Sequence, residues 1–316
     1  KDDLPVNRSR MADFSLLLVA MMWGCTFLIV QSAIRVLPPL AFNSIRFTGA
    51  ALLLALITFV FYRNEWKKLS WGMVRHALLL GLLLFMGYAF QTVGLLYTTT
   101  SNTGFITGLS VVLVPFLSLA LLKHSISRYT WISAVLAAVG LYLLTFTSTA
   151  MSLNKGDGFI LLCAIAFALQ IAYTGVYAPR YPALPLATLQ LAVVGLLSLV
   201  GSMIFDEPGT LSHAGQFIGK PDVLWALLIS IGPTSAFAFW IQTACQKYTT
   251  PSRVAIIYAM EPVFAAFTGL AFGGESLGVY ALLGCVCILG GMLMAELTPD
   301  LSRFKNFSSY RLFRKR

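Results

Sequence analysis

The chain has 316 residues, of which 58% are hydrophobic and only 11% are charged, and its formal net charge is +10. Because an ordinary soluble domain is about one quarter charged, this composition excludes a soluble globular protein. The longest polar interruptions, residues 63–76 and 206–222, are too short to form a soluble domain. The sequence therefore predicts a protein that works within the bilayer.

Ten apolar runs have the roughly 17–25 residues that a helix needs to cross about 30 Å of hydrocarbon. None of them alternates in polarity as the strands of a membrane barrel do, so helices are predicted. The runs cover about residues 12–34, 40–62, 77–99, 103–123, 129–147, 157–178, 186–205, 223–246, 253–273 and 279–297. We expect an all-α integral membrane protein with about ten transmembrane helices.

The two ends of the chain are expected to lie outside these helices. Residues 1–10 precede Met11, a natural start for the native chain, and are expected to be an added or disordered extension. Residues 298–316 are expected to form a basic tail in the cytoplasm. With a cytoplasmic N-terminus, only three basic residues outside the first ten face outward, namely Arg35, Lys155 and Lys220. This bias satisfies the positive-inside rule and predicts that both termini are cytoplasmic.

The sequence lacks the signatures of the main catalytic classes. The HExxH, GxSxG and P-loop motifs are missing, the three histidines fall in or next to loops, and Glu261 is the only acid deep within a predicted span. The five cysteines lie in predicted spans without the spacing of a metal site. We therefore expect neither an enzyme nor a metal or cofactor, and no nucleic-acid partner, since the positive charge is explained by topology.

The second half of the sequence repeats the first. A shift of 144 residues pairs Asp13 with Asp157 and Arg46 with Gln190 near the start of each half. A shift of 151 residues matches a second set of positions: Gln91, Thr92, Tyr97, Thr98, Thr99, Ser101, Tyr129 and Gly140 fall on Gln242, Thr243, Tyr248, Thr249, Thr250, Ser252, Tyr280 and Gly291. The repeats are predicted to cover residues 11–147 and 157–297. Five helices in each force opposite orientations, which is the inverted arrangement of many transporters.

The repeated motifs resemble those of the drug/metabolite transporter superfamily, in particular its ten-helix members with two EamA-type repeats. The resemblance is carried by Trp23–Gly24, by Pro38 and Arg46, and by the pairs Glu261–Pro262 and Gly274–Glu275. In the first half the pattern departs, with Lys123 and His124 in place of Gly and Glu, and Val111 in place of proline. The resemblance implies a bacterial inner-membrane exporter or permease for small organic molecules.

Polar side chains inside the spans are the candidates for a site, because burying them in hydrocarbon is costly. Arg46 and Glu261 are the strongest charges at depth. The candidate cavity comprises Trp23, Arg46, Tyr88, Gln91, Gln170, Tyr173, Gln190, Trp240, Gln242, Tyr258 and Glu261. Aromatic residues are also common at lipid interfaces and glutamines also bond between helices, so packing roles stay open for both groups.

The Glu261–Pro262 pair predicts an interrupted helix. Proline lacks a backbone donor and obstructs the preceding turn, so the break is expected at Ala259 and Met260. Glu261 is then either a proton-binding coupling residue or a fixed partner of Arg46 or of a nearby hydroxyl. Arg46 is expected to face the cavity or an acid, with snorkelling to the membrane interface as the alternative.

The sequence thus favours a secondary transporter that works by alternating access around a central cavity in the inner membrane. Its partners are expected to be a small-molecule substrate, the lipid bilayer and protons as the candidate coupling ion. The cavity is assigned to helices one to four and six to nine, which leaves helices five and ten peripheral and free to support a homodimer. A lipid or lipid-conjugate flippase of the same fold is the alternative, and a receptor or scaffold without transport is a weaker one.

Overall fold

The computed structural model describes residues 4–94, 96–98, 100–122, 126–145, 155–207, 210, 214–272 and 278–297. The fold is all-helical, with 88% helix and no strand among these residues. The α-helices are α1 (Leu4–Ile34), α2 (Pro39–Phe61), α3 (Arg63–Trp66), α4 (Trp71–Gly94), α5 (Thr100–Gly108), α6 (Ser110–Leu122), α7 (Arg128–Thr145), α8 (Lys155–Tyr177), α9 (Ala183–Phe205), α10 (Ala214–Ile218), α11 (Pro221–Ile231), α12 (Ala238–Cys245), α13 (Pro251–Tyr258), α14 (Glu261–Phe272) and α15 (Val279–Leu297).

Within the described part of the chain, seven helical segments are long and apolar enough to cross a membrane, so the chain is a multi-pass membrane protein. They are Pro39–Phe61, Trp71–Gly94, Thr103–Ala120, Lys155–Arg180, Ala183–Phe205, Pro221–Cys245 and Pro251–Ala271. Arg128–Leu144 and Val279–Ala295 are shorter apolar helices. The total of about ten spans and their inverted repetition remain predictions. Helix α1 begins at Leu4, so residues 4–10 continue the helix that was expected to start near Met11.

Prolines start several of the membrane helices. Pro39, Pro221 and Pro251 each stand in the first turn of α2, α11 and α13. A helix tolerates proline there, because the missing N–H has no intrahelical acceptor in the first turn and the fixed φ suits the helix. The chain can therefore turn sharply before each span.

Helices from the two halves pack against each other throughout the molecule. Helix α2 lies along α9, α7 along α15, α1 along α14, and α4 along α8 and α9. Where α7 crosses α15, a methyl group on Gly140 would lie 2.7 Å from the carbonyl oxygen of Gly284. Small residues permit such close backbone approach within a membrane, where packing drives helix association. The expected peripheral helices five and ten thus correspond to α7 and α15, which pack on one another.

Three of the membrane segments are not continuous α-helices. Helix α5 ends at Gly108 and α6 begins at Ser110, while α13 ends at Tyr258 and α14 begins at Glu261. Between α11 and α12 the backbone forms a π-helix from Gly232 to Phe237. Irregular backbone at membrane depth is tolerated only where protein or a cavity surrounds it, and π-helical turns are frequent at functional sites. Two of these segments, the π-helix and the α13–α14 break, bring together the candidate site.

Candidate functional site

Arg46 is a buried side chain that crosses from α2 to the π-helix. Its Nε donates a 2.7 Å hydrogen bond to the Ser235 hydroxyl. Its Nη2 lies 3.4 Å from the Thr234 carbonyl oxygen and 3.5 Å from the Thr234 hydroxyl. A guanidinium at this depth needs such partners, and these bonds fix the cation inside the protein. Arg46 therefore faces inward, as one of the sequence alternatives proposed, and does not snorkel.

The π-helix supplies these acceptors because its hydrogen-bond ladder is disturbed. Pro233 has no N–H to donate to the carbonyl of Ile229 one turn earlier. The Thr234 hydroxyl lies 3.4 Å from that carbonyl oxygen and partly replaces the missing donor. The Thr234 carbonyl oxygen in turn accepts a 2.8 Å hydrogen bond from Trp23 Nε1 on α1. One backbone oxygen is thus shared by side chains from α1 and α2.

Aromatic rings surround this centre, with Phe239 in the middle of them. The Phe239 ring centroid lies 5.6 Å from Trp23, 6.3 Å from Phe47 and 6.4 Å from Tyr88. Tyr258 meets Trp23 edge-to-face at 5.0 Å. The guanidinium carbon of Arg46 lies 4.9 Å from the Phe47 centroid and 5.2 Å from that of Tyr88, within the range of cation–π attraction.

Glu261 stands at the start of α14, close to the Tyr258 end of this aromatic cluster. Among the described residues, none donates a hydrogen bond to its carboxylate, and no nitrogen of Arg46 lies within the 4.0 Å of an ion pair. The two charges do influence each other electrostatically. The Tyr258 hydroxyl is also buried without a hydrogen-bond partner in the described part of the chain. The Glu261 carboxylate and the Tyr258 hydroxyl are therefore both without a hydrogen-bond partner among the described residues.

Glu261 and Tyr88 are half-buried, so each keeps some accessible surface beside the aromatic cluster. Trp23 is likewise half-buried. The sequence-predicted residues Trp23, Arg46, Tyr88, Tyr258 and Glu261 are thus brought together around one centre.

The predicted glutamines have another arrangement. Gln242 Nε2 donates to Gln170 Oε1 at 3.1 Å, Gln170 Nε2 lies 3.4 Å from Gln190 Oε1, and Gln190 Nε2 donates to Thr243 at 3.2 Å. All three glutamines are at most 2% exposed. They form a buried chain that joins α8, α9 and α12, which favours the packing role that the sequence left open.

Three further predicted residues have other ring or helix neighbours, although Trp240 also packs against the core that contains Phe47 and Phe239. Tyr173 stacks with Tyr177 at 6.0 Å, beside His76 near the start of α4. Trp240 packs edge-to-face on Phe237 at 6.0 Å and is half-buried. Gln91 lies on α4 beyond Tyr88 and is half-buried.

Sequence reasoning missed Phe47, Phe239, Thr234 and Ser235. Phenylalanine is common in membrane helices, so neither ring stood out among the 23 in the chain. A signal for the two hydroxyls was present, because Gly232–Pro233 interrupts an apolar run just as Glu261–Pro262 does. A helix-breaking dipeptide within a span indicates that nearby backbone carbonyl groups can accept hydrogen bonds from side chains. Thr234 and Ser235 directly follow the Gly232–Pro233 dipeptide.

The EamA-like transporter family model matches the chain twice, at residues 10–146 and 154–297. The chain belongs to the EamA-like transporter family. The site described above therefore lies in a membrane transporter of the drug/metabolite type.

EamA-like relatives match nearly the whole chain. A protein described as an uncharacterized transporter from Archaeoglobus fulgidus is 32% identical, covering 90% of this chain and 86% of its own length. YoaV, an uncharacterized transporter of Bacillus subtilis, is 24% identical over 89% of this chain and 94% of its own. The uncharacterized inner membrane transporter YedA of Escherichia coli K12 is 24% identical, with 87% of each chain covered.

A similar helical fold is found in a solved crystal structure. Its chain superposes with a TM-score of 0.75, covering 91% of this chain and 98% of its own, at 18% identity. At that identity the similarity supports the helical architecture alone. Roles for individual residues must come from the geometry of the present chain.

Proposed function

We propose that this protein is a secondary transporter that moves small organic molecules, such as metabolites, amino acids or drugs, across the inner membrane. Transport proceeds by alternating access around the aromatic cluster, and both termini are cytoplasmic. The protein acts as an exporter or an exchanger. Membership of a transporter family supports transport as the activity, and the geometry below supports the finer proposal.

The unpartnered Glu261 carboxylate carries the proposal. A charged carboxylate enclosed by protein is costly unless a partner offsets its lost hydration. Since neither Arg46 nor a described donor pairs with it, the partner is supplied from outside, either as a proton or as a cationic group of the substrate. The orphan hydroxyl of Tyr258 adds a hydrogen-bond donor at the same place.

Arg46 gives the site a cationic group in addition to the acidic Glu261. The guanidinium is held by Ser235 and Thr234 and has five N–H donors, so it keeps capacity for an anionic group. Aromatic rings between two opposite charges suit a molecule with an apolar body and polar ends. Zwitterions and ionised organic molecules fit this arrangement best.

The packing of the helices supports alternating access. The 144- and 151-residue shifts relate each helix to its counterpart in the other half. They map α1 onto α8 and α14 onto α6, and both the α1–α14 pair and the α8–α6 pair are in contact. They also exchange α2 with α9 and α7 with α15, so each of these two contacts maps onto itself. Such reciprocity is what two equivalent halves around a central site would produce. The two family matches at 10–146 and 154–297 support the same reading.

A ligand screen on the purified protein tests the substrate class. Because a ligand that binds only the folded state raises its apparent stability, amino acids, nucleosides, organic cations and lysolipids are compared by thermal shift. Stabilisation by zwitterions or cations that is lost in Glu261→Gln supports the proposal. Stabilisation by lysolipids alone would replace it with a flippase.

Transport in proteoliposomes tests the coupling role of Glu261. Proton-driven movement should be lost in Glu261→Gln, whereas substrate exchange without a gradient should persist at a reduced rate. Unchanged proton dependence would remove Glu261 from coupling. Cysteine labelling tests the topology: residues 63–76 should react from the cytoplasm, and residues 148–156 and 206–222 from outside.

A further inference from the structure

A groove of about 550 Å³ lies at the corner between α2 and α3, far along α2 from the aromatic cluster. Phe59, Arg63, Trp66 and Lys67 line it. The guanidinium carbon of Arg63 sits 5.2 Å from the Phe59 ring centroid, which orients the cation over the groove. Two cations and two aromatic rings thus meet where α2 ends, at Phe61.

An apolar stripe runs along α2 and ends at this groove. Leu52, Leu56 and Phe59 are each more than half exposed. Their spacing of four and three residues places them on one helix face, and Arg63 follows four residues after Phe59. A chain of methylene groups lying on this stripe would therefore lead directly to the two cations.

The acid of α3 is directed elsewhere. Glu65 has a buried carboxylate oxygen and interacts electrostatically with Lys247, which does not line the groove. The Lys247 ammonium donates a 3.0 Å hydrogen bond to the Tyr181 carbonyl oxygen. The residues that line the groove consequently include no acid to neutralise Arg63 and Lys67.

The equivalent corner in the second half has the same stripe but the opposite charge. Adding 144 to the bounds of α2 gives the bounds of α9, and the exposed Leu196, Val200 and Met203 correspond to the stripe on α2. The position of Arg63 is taken by Glu207, which is exposed. The basic groove is therefore a property of one corner and not of the shared fold.

We infer that the α2–α3 groove binds the phosphate headgroup of an anionic phospholipid, with an acyl chain along Leu52, Leu56 and Phe59. Arginine and lysine form strong charge-assisted hydrogen bonds to phosphate oxygens. Tryptophan is enriched at the level of lipid headgroups, where Trp66 would stand. The apolar stripe assigns the phosphate to a lipid, because a soluble phosphate compound makes no use of it. This inference is independent of the transported substrate.

The test is lipid binding by the full-length protein after removal of native lipid. Phosphatidylglycerol and phosphatidylcholine are titrated into wild type and into the Arg63→Gln, Lys67→Gln double variant, with thermal shift and native mass spectrometry as readouts. Each basic residue near a membrane surface contributes to anionic-lipid binding, so the double variant should bind phosphatidylglycerol roughly thirtyfold more weakly. Phosphatidylcholine binding should not change.

Two variants serve as controls. Arg128→Gln removes an exposed arginine from the start of α7 without touching the groove, and should leave lipid binding unchanged. Glu207→Arg gives the corner after α9 the cation it lacks, and should add binding of phosphatidylglycerol. Equal loss in Arg128→Gln would overturn the inference, since binding would then depend only on net charge. Equal stabilisation by soluble glycerol phosphate would also overturn it, because the stripe would then play no part.

Discussion

Two of the three interrupted membrane segments occupy matching positions in the two halves and differ in chemistry. In the first half the interruption precedes Ser110, the first residue of α6; in the second it precedes Glu261, the first residue of α14. A shift of 151 residues maps one onto the other. The backbone therefore breaks at the same register whether a hydroxyl or a carboxylate follows.

This comparison distinguishes what causes the helix break from the function of the residue that follows it. Pro262 follows Glu261, but its counterpart Val111 is a fully buried residue with an ordinary N–H. Because α5 and α6 separate without a proline at that position, a proline directly after the break is not required; the first half has Gly108 before its break and Pro115 inside α6. The carboxylate, and not the break, is what distinguishes the second half.

Glu261→Gln tests this distinction and should have the largest effect. A lost interaction with a charged group costs about 1.5–3 kcal/mol, which corresponds to a roughly ten- to hundredfold weaker transport rate or ligand affinity. Ser110→Ala, the matched change in the first half, should alter transport by less than about twofold. Proteoliposome uptake measures both. A comparable loss in Ser110→Ala would mean that the two breaks share one function.

Arg46→Gln makes the two halves alike at another position, since Gln190 is the counterpart of Arg46. The change should destabilise the protein by about 2–3 kcal/mol, because a charged group and its hydrogen bonds are lost. A double-mutant cycle with Ser235→Ala should show coupling, whereas a cycle with Glu261→Gln should be closer to additive. Thermal unfolding of each variant in detergent measures these changes in unfolding free energy and their coupling. Strong rescue of Arg46→Gln by Glu261→Gln would instead reveal a direct ion pair.

Gly24→Ala probes how closely α1 approaches the second break. An added methyl group would collide with the Glu261 carbonyl oxygen and lie 2.7 Å from Phe264 Cβ. Overpacking of this kind costs about 1–3 kcal/mol. The counterpart in the second half is Ala168, buried in α8, where a methyl group is already accommodated. Ala168→Gly should cost about 1 kcal/mol, and a harmless Gly24→Ala would show that α1 and α14 can separate freely.

Pro262→Ala should have the smallest effect. The break persists in the first half without a proline at the matching position, Val111, and a first-turn proline contributes no essential hydrogen bond. We expect a change below about 1 kcal/mol in unfolding free energy, measured by thermal denaturation, with transport retained. Loss of transport together with normal stability would show that Pro262 controls the motion of α14 and is not merely compatible with the helix break.

The sequence predicted the membrane class and the helical fold because both follow from hydrophobic length alone. It also directed attention to Arg46 and Glu261, since charges are rare at membrane depth. It did not predict that Arg46 binds Ser235 and Thr234. Which polar group meets which depends on how helices rotate against each other, and that rotation is set by packing rather than by local sequence.

The glutamines illustrate the same limit. Gln170, Gln190 and Gln242 were grouped with the aromatic residues because all are polar groups within spans. In the structure they face one another across three helices and have almost no accessible surface. A buried amide can satisfy another buried amide, and the one-dimensional pattern does not distinguish such a pair from a ligand contact.

The Thr234 carbonyl oxygen, which receives both Trp23 and Arg46, belongs to the main chain. Replacing the side chain at position 234 removes a hydroxyl but leaves that acceptor in place. Side-chain substitutions would therefore identify Trp23 and Arg46 as important but would not detect the Thr234 carbonyl oxygen that accepts hydrogen bonds from both. Because this acceptor belongs to the backbone of the π-helix Gly232–Phe237, a change in the conformation of that backbone would move the hydrogen-bond partner of α1 and that of α2 at the same time.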